Sequence, residues 1–236
     1  MRFSDARAST RVLLETLKMT KKREIVDLEE IACKSQTTFS FAKGVLSRTI
    51  SPLRADYVSL SPRERVQLAM EVARQGKSND ATRALSWQEF ERFAEECLRE
   101  AGFQTEKNVR VKGNGRAWQI DVVGYRGELV LILDCKHWNT PGHLSRFRLA
   151  AEHQRNATLY LLARPRENIV QECKELQALP VILTLSEPRG QLSEGVVLVS
   201  VEKLPSFLSG VTPYDENLPF ISSSLYLVEN PMSQSS

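Results

Sequence analysis

The sequence predicts an α/β protein in which a mostly helical N-terminal part precedes a core of strands and helices. Two patterns predict this class: apolar residues recur at helical spacing from residue 10 to residue 75, and short strand-forming runs alternate with helical patterns after Ser86. The composition agrees, because 42% hydrophobic and 26% charged residues are ordinary for a soluble globular protein. A chain of 236 residues can bury two modest cores.

The N-terminal part contains four segments with helical periodicity and two short runs that favour strands. The predicted helices cover Thr10 to Met19, Val26 to Lys34, Phe39 to Thr49 and Ser61 to Gln75, and the predicted strands cover Ile50 to Leu53 and Tyr57 to Leu60. A polar turn, Ser35 to Thr38, joins the second and third helices. This order resembles a winged helix-turn-helix, which we assign to residues 1–78.

The resemblance to a winged helix-turn-helix implies DNA as a partner. In that fold the start of the second helix of the pair enters the major groove. The residues expected to touch bases or phosphates there are Gln36, Thr37, Thr38, Ser40, Lys43 and Arg48. The alternative is a small helical bundle for dimerisation or protein contacts. Charge favours DNA, because the first 80 residues carry 15 Lys or Arg against 10 Asp or Glu, whereas the remainder carries 17 against 19.

A break between modules is expected at Gly76 to Asp80, and the second module is expected to cover residues 84–210. Its first element is a helix from Ser86 to Phe103. Ser86 is a plausible N-cap with Glu89 three residues later, and Gly102 is a natural C-terminal stop.

Two strands are expected next, joined as a hairpin. The first is Trp118 to Tyr125, and after the short connection Arg126 to Glu128 the apolar run Leu129 to Leu133 forms the second. That run ends in Asp134, Cys135 and Lys136. Because side chains alternate along a strand, Asp134 and Lys136 project from one side, about 6.6 Å apart.

The hairpin can bring Asp121 beside Asp134, which places two carboxylates and an ammonium together. Oxygen ligands of this kind suit Mg²⁺, which retains water molecules that can act as nucleophiles. The pattern therefore favours phosphodiester hydrolysis. The alternative is an ordinary ion pair between Asp134 and Lys136 at a frayed strand end, with Asp121 merely solvated.

A family resemblance connects these residues. Phe90-Glu91, Leu98, Gly102-Phe103, Asp121 and Asp134-Cys135-Lys136, in this order, resemble the PD-(D/E)xK nucleases, in particular Mrr-type restriction endonucleases and archaeal Holliday junction resolvases. The likeness spans Ser86 to Leu208. It implies a restriction-endonuclease-like core with a central mixed sheet flanked by helices. It also implies a metal-dependent DNA endonuclease of repair, recombination or restriction.

The resemblance also implies roles for single residues. Glu91, Asp121 and Asp134 would bind Mg²⁺ or Mn²⁺ together with the backbone carbonyl of Cys135, and Lys136 would complete the catalytic set. Glu89 competes with Glu91 for the helix position. Two departures stand out: the acid of the third family strand is Asp134 where many relatives have Glu or Gln, and Ile120 replaces a proline that sometimes precedes the first aspartate.

The remaining elements continue this pattern. A helix is expected from Ser145 to Ala163, and strands from Pro180 to Leu185 and from Val196 to Val201. Relatives often carry a substrate-facing glutamine or basic residue on that helix, so the resemblance implies Gln154 as a candidate for a DNA contact. His137 flanks the predicted metal site and is a second candidate. Residues 211–236 form a C-terminal extension whose end, from Pro231, is expected to be disordered.

Partners and compartment follow from the same residues. A homodimer is expected, because cutting both strands of a duplex requires two sites; the resemblance leaves room for repair or replication proteins as further partners. No membrane partner is expected, and the start lacks a signal-peptide core, so an intracellular location is expected. The four cysteines form no CxxC pair and are expected as buried free thiols. Two alternatives remain: a non-catalytic DNA-binding or accessory protein on a nuclease-like scaffold, and an RNA-processing nuclease.

Overall fold

The computed structural model describes residues 3–50, 56–138, 144–163 and 175–223. The chain divides into two compact units, residues 1–93 and 94–236. The helix Trp87–Glu100 runs across the division. Each unit is described by itself below.

The first unit is mostly helical. Its helices are α1 (Phe3–Thr20), α2 (Leu28–Lys34), α3 (Phe39–Thr49), α4 (Pro62–Arg74) and α5 (Ser78–Arg83), and its strands are β1 (Val26–Asp27) and β2 (Tyr57–Val58). Leucines at helical spacing supply the core, among them the fully buried Leu17, Leu28 and Leu46. The strands β1 and β2 pair antiparallel, with Val26 opposite Val58.

One local expectation for this unit needs correction. Val26 and Asp27 were expected to be helical but form β1, because the Asp27 carboxylate accepts a hydrogen bond from the Glu29 N–H and caps α2. Of the predicted strand Ile50 to Leu53, residues 51–53 lie outside the described residues. The expected module break at residues 76–80 contains the start of α5, and the module boundaries stay predictions.

The turn between α2 and α3 has the expected polar composition. Gln36 lies at a φ of 54°, a left-handed conformation that turns the chain between the helices. Thr38 then caps α3, because its hydroxyl accepts a hydrogen bond from the Phe41 N–H. The two helices are thus joined by a tight, capped turn.

Helix α6 (Trp87–Glu100) has the predicted ends. The Glu89 carboxylate accepts from the Ser86 N–H at 2.7 Å, and the Ser86 hydroxyl accepts from the Glu89 N–H at 3.3 Å. This reciprocal pair is a capping box. Gly102, at a φ of +84°, ends the helix as expected.

The second unit is built on a mixed sheet. Its main strands are β3 (Gln104–Gly113), β4 (Arg116–Arg126), β5 (Leu129–Lys136), β6 (Gln177–Thr184) and β8 (Val196–Ser200), with the short β7 (Leu192–Ser193) and β9 (Ile221–Ser222). The strand order is β3-β4-β5-β6-β8-β7, and β9 pairs with β6. The pairs β3–β4 and β4–β5 are antiparallel, whereas the pairs β5–β6 and β6–β8 are parallel. Helices α7 (Leu144–Leu162) and α8 (Leu204–Gly210) complete the unit.

Helix α7 lies between the parallel strands β5 and β6 in the chain, which is the usual role of a crossover helix. The expected helix and strands of this region are therefore present. Strand β3 was not expected. Strand β9 lies within the expected C-terminal extension, and the end from Pro231 falls outside the described residues.

Two further expectations concern the cysteines and the membrane. Cys33 is exposed and Cys97 and Cys135 are only half-buried, so the expectation of buried thiols is wrong for these three; none of them forms a disulfide within the described residues. Cys173 lies outside the described residues. In the described part of the chain, no helix combines the length and the apolar character needed to cross a bilayer.

Candidate active site

Strand β5 brings Asp134 and Lys136 together. Its first five residues, Leu129 to Leu133, are fully buried, and the charged residues follow where the strand leaves the core. The Lys136 Nζ donates to the Asp134 Oδ1 at 2.8 Å, and Asp134 is only 8% exposed. The alternation of the strand thus produces a partly buried ion pair at its end.

Asp121 lies where β4 separates from β5. The last paired residues of the two strands are Val122 and Leu133, and the same register would place Ile120 opposite Cys135. Instead, the Cys135 N–H donates to the Asp121 Oδ2 at 2.7 Å. The Asp121 side chain therefore replaces a backbone acceptor and is fixed next to the end of β5.

The electrostatics of Asp121 reflect its burial and the neighbouring Asp134 carboxylate. Burial, followed by the Asp134 carboxylate, raises the pKa of Asp121 from 3.8 to about 6. The Cys135 N–H and the Lys136 ammonium act on this pKa in the opposite direction. The ionised form of Asp121 is therefore disfavoured where it lies, and a bound cation would favour it.

Asp134 offers a ligand atom. Its Oδ2 is buried and has no hydrogen-bond partner among the described residues. A buried acceptor without a partner is costly, so a ligand bound to this atom would remove that cost. With Asp121 it supplies oxygen donors of the type that Mg²⁺ prefers.

The ligand set is not complete in the described residues. None of their His, Cys, Asp and Glu side chains form a group of three or more that could hold a metal ion. Cys135 pairs with Leu183 in the parallel ladder of β5 and β6, and coordination by its carbonyl stays a prediction. Mg²⁺ commonly keeps several water ligands and binds through one or two carboxylates, so two aspartates are compatible with such a site.

Glu91, the fourth predicted residue, lies on α6 in the first unit, whereas the other three lie in the second unit. It is buried, with 5% of its surface exposed. The competing Glu89 uses one oxygen to cap α6 and the other to accept from the Arg65 Nε at 2.8 Å. Both carboxylate oxygens of Glu89 are therefore used in structural hydrogen bonds. Glu91 remains the predicted helix carboxylate of the metal site.

Gln154 has a different place from the one predicted. It is fully buried, and its Nε2 donates to the Ile132 carbonyl at 2.6 Å. A side chain with no exposed surface cannot contact DNA, so the predicted contact is wrong. The amide instead ties α7 to β5, and its Oε1 is buried without a hydrogen-bond partner among the described residues.

The other predicted DNA contacts fall in two places. His137 follows β5 directly and is half-buried. The remaining six lie in the first unit, at the turn and on α3: Gln36, Thr37, Thr38, Ser40, Lys43 and Arg48. All of these except the half-buried Thr37 are exposed, and Lys43 pairs with Asp56 at 3.2 Å.

Three residues near the candidate site were not singled out in the sequence: Arg116, Trp118 and His153. The Arg116 guanidinium carbon lies 3.5 Å from the centre of the Trp118 ring, and the His153 ring lies 4.9 Å from the Trp118 ring.

Glu95 is a further buried carboxylate that the sequence analysis did not single out. It is buried on α6, one turn after Glu91, and pairs with Lys107 of β3 at 2.9 Å. Only its four-residue spacing from Glu91 could have indicated it.

Comparison with known proteins supports the core. Residues 82–175 match the family model Mrr_cat, described as restriction endonuclease. The matched segment includes α6, β3, β4, β5 and α7, and with them all four predicted catalytic residues. The mixed sheet and its flanking helices agree with a restriction-endonuclease-like core.

Two solved structures are similar to parts of this chain. A protein of unknown function, AF1548, is 24% identical, with 48% of this chain and 57% of that chain covered and a TM-score of 0.33. Protein VC1899 from Vibrio cholerae is 12% identical, with 89% and 56% covered and a TM-score of 0.38. The chain thus spans little more than half the length of either. The low TM-scores mean that neither structure defines its fold or function. No curated protein has a matching sequence.

Proposed function

We propose that this protein is a metal-dependent DNA endonuclease. The proposal starts from residues 82–175, which carry a restriction-endonuclease-like domain consistent with a PD-(D/E)xK nuclease core. The observation that carries the proposal is Asp121 at the register position opposite Asp134, next to Lys136, with a buried Asp134 Oδ2 that has no hydrogen-bond partner among the described residues. Carboxylate oxygens that can bind a metal ion, next to an ammonium that can offset charge on a phosphate, are groups that metal-dependent phosphodiester hydrolysis uses.

Each residue of the site has a role in this proposal. Asp121 and Asp134 would hold Mg²⁺ or Mn²⁺, with the Cys135 carbonyl and Glu91 as further ligands. The ion would supply Lewis-acid polarisation of a phosphate oxygen and a water of lowered pKa. The Lys136 ammonium, held by Asp134, lies where it can orient a nucleophilic water or offset negative charge on the phosphate.

Cleavage assays on the full chain test the proposal. We expect the wild type to cut at least one of duplex, single-stranded, flap and junction DNA with Mg²⁺ or Mn²⁺ and none with EDTA. Asp134→Asn should abolish cleavage and leave DNA binding within about twofold, because it removes one ligand charge without removing contacts to the nucleic acid. Lys136→Met should reduce cleavage and retain Mn²⁺ binding, measured by calorimetry.

The control is Glu152→Gln, which removes one exposed carboxylate on α7 and should leave cleavage unchanged. Inertness of the wild type toward all four substrates with either metal would contradict the proposal. Full activity of Asp134→Asn would contradict the site. Competition between matched RNA and DNA substrates identifies the polymer, and a preference for RNA would contradict the assignment to DNA.

The proposal includes a DNA-binding winged helix-turn-helix in the first unit. Its support is the capped turn between α2 and α3, the β1–β2 pair and the exposed polar side chains at the start of α3. The double variant Ser40→Glu/Lys43→Glu should weaken DNA binding, because it puts two carboxylates where phosphates or bases would lie. Lys18→Glu on α1 is the control, and equal binding by both variants would favour a bundle for protein contacts.

One observation favours the second candidate, a non-catalytic DNA-binding or accessory protein of repair or replication. Lys136 already pairs with Asp134 at 2.8 Å, an ordinary ion pair that a non-catalytic scaffold would also keep. This candidate requires DNA binding that falls steeply with salt and no cleavage with any divalent metal. The same assays therefore separate the two.

A further inference from the structure

The hairpin of β3 and β4 extends well beyond its neighbour β5. β5 pairs with β4 only from Val122 to Arg126, whereas β3 and β4 pair as far as Gly113 and Arg116. Asn114 and Gly115, at φ of 50° and 70°, form the two-residue turn at its tip. The extended part of the hairpin therefore begins at Asp121, beside the candidate active site.

This part of the hairpin is basic. From residue 107 to residue 119 it contains four cationic residues, Lys107, Arg110, Lys112 and Arg116, and no acidic residue. All four are exposed. Net positive charge of this kind attracts polyanions such as nucleic acids at long range and assigns no contact to any single residue.

One face of the hairpin is fixed by Trp118. The indole is only 2% exposed, its Nε1 donates to the Gly113 carbonyl at 3.1 Å, and its ring lies 5.5 Å from that of Tyr160 on α7. Trp118 is thus a rigid platform. The Arg116 guanidinium carbon lies over this ring, 3.5 Å from its centre, and the guanidinium has no hydrogen-bond or ion-pair partner among the described residues.

His153 continues this surface toward the acidic pair. Its ring is exposed on α7 and lies 4.9 Å from the Trp118 ring. Burial lowers the pKa of His153, the Asp134 carboxylate raises it, and Lys136 and Arg116 lower it. His153 therefore lies within electrostatic reach of both Arg116 and the candidate active site.

We propose that Arg116, stacked on Trp118, and His153 form a phosphate-binding surface that holds the backbone of the DNA strand beside the candidate active site. The proposal rests on the proposed function, since the strand held is the one to be cut. A guanidinium binds phosphate through two parallel N–H groups, and stacking on an aromatic ring restricts its motion before the ligand arrives. A neutral imidazole N–H can donate to the next phosphate. These residues position the strand and do not perform chemistry.

Metal-free binding to a short duplex, measured by fluorescence anisotropy on the Asp134→Asn chain, tests this surface. Arg116→Ala should weaken binding about fivefold or more and lower the slope of log affinity against log salt by about 1, because one phosphate contact is lost. Arg116→Lys should keep the slope with intermediate affinity, since the charge remains and the planar fork is lost. His153→Ala should weaken binding about twofold to fivefold.

Lys112→Ala is the matched control. Lys112 is exposed on the same hairpin, but strand alternation places it on the face opposite Trp118 and Arg116. The DNA affinity of Lys112→Ala should stay within about twofold of that of the parent, and its salt slope should stay the same. If Arg116→Ala and Lys112→Ala weaken binding equally, the effect is only the net charge of the hairpin and the proposal is wrong. Unchanged binding by Arg116→Ala also overturns it.

Kinetics on the otherwise wild-type chain complete the test. Arg116→Ala should raise KM more than it lowers kcat, whereas a residue that only stabilises the fold would leave both unchanged once the protein is folded. The two proposals fail separately. If the wild type never cleaves DNA but Arg116→Ala weakens DNA binding, the nuclease assignment is contradicted and the phosphate-binding surface is supported. If the wild type cleaves DNA and Arg116→Ala cleaves it equally well, the nuclease assignment is supported and the phosphate-binding surface is contradicted.

Discussion

Asp121 shows the conflict between function and stability at the scale of one residue. Burial and the neighbouring Asp134 raise its pKa to about 6, so near neutral pH the folded chain holds an ionised carboxylate in an unfavourable place. A bound cation would relieve this, and it would compete with a proton below about pH 6. The same carboxylate accepts the Cys135 N–H, which an asparagine Oδ1 can also do.

Asp121→Asn should therefore stabilise the metal-free protein at high pH. Because the folded-state pKa lies above the ordinary value of 3.8, the stability associated with this group is complete below about pH 4 and is lost as pH rises through about 6. At about 1.4 kcal/mol per pKa unit, the loss is about 3 kcal/mol. Urea unfolding in EDTA should show this gain for Asp121→Asn at about pH 8 and almost none at about pH 4.

Glu152→Gln is the control for this measurement. Glu152 is an exposed carboxylate on α7, so its removal should change the free energy of unfolding by less than about 0.5 kcal/mol at either pH. An Asp121→Asn chain that is less stable than the wild type at about pH 8 would show that the carboxylate is stabilised by its surroundings. The pair would then need no cation.

At the scale of elements, the sequence predicted what local patterns determine. The ends of α6 follow from Ser86, Glu89 and Gly102, whose preferences act within one turn. The ion pair of Asp134 and Lys136 follows from strand alternation after an apolar run. These parts of the fold depend on residues close together in the chain.

Other elements depend on distant contacts and could not be predicted. Strand β3 has only two buried residues, Val109 and Val111, and Asn108 at a φ of 52° interrupts its alternation. β3 becomes a strand because β4 supplies its partner. Gln154 resembles a surface residue in the sequence but is buried, because the Ile132 carbonyl of β5 accepts its amide hydrogen. Helical periodicity alone cannot reveal such a partner.

The contact between the β3–β4 hairpin and α7 gives an element-scale prediction. A Cβ added at Gly113 would overlap the Tyr160 ring, so Gly113→Ala must displace that ring. We expect a loss of about 1–3 kcal/mol in the free energy of unfolding, as for other overpacked sites. In the double variant with Tyr160→Leu the two effects should not add, because the smaller side chain leaves room for the methyl group.

Gly190→Ala is the matched control, because the nearest atom to an added Cβ there is the Leu192 carbonyl oxygen at 3.9 Å, an ordinary contact. Its stability should change by less than about 0.5 kcal/mol. If Gly113→Ala is equally neutral, the hairpin is not fixed against α7. The platform formed by Trp118 would then lack its support.

At the scale of the whole molecule, charge is divided unevenly along the chain. The excess of Lys and Arg lies in the first 80 residues, whereas the remainder carries slightly more Asp and Glu. In the proposed function, the first 80 residues supply much of the general attraction to DNA, and the β3–β4 hairpin of the second unit supplies local cations near Asp121. The second unit therefore carries the acidic pair Asp121 and Asp134 without an overall excess of basic residues.

The proposed homodimer gives the last prediction. Cutting both strands of a duplex in one encounter requires two sites, and two-fold assembly is the commonest way to provide them. The protein should therefore sediment at about twice the 26.7 kDa mass of the chain.

With supercoiled plasmid, the wild type should produce linear DNA early. Wild-type subunits mixed with excess Asp134→Asn should produce mainly nicked circles, since nearly every wild-type subunit is then in a mixed dimer and each mixed dimer has one active site. Mixing with excess Glu152→Gln, which keeps both sites, is the control. A monomer that yields nicked circles first with and without the Asp134→Asn partner would contradict the dimer, and the nuclease would then cut one strand at a time.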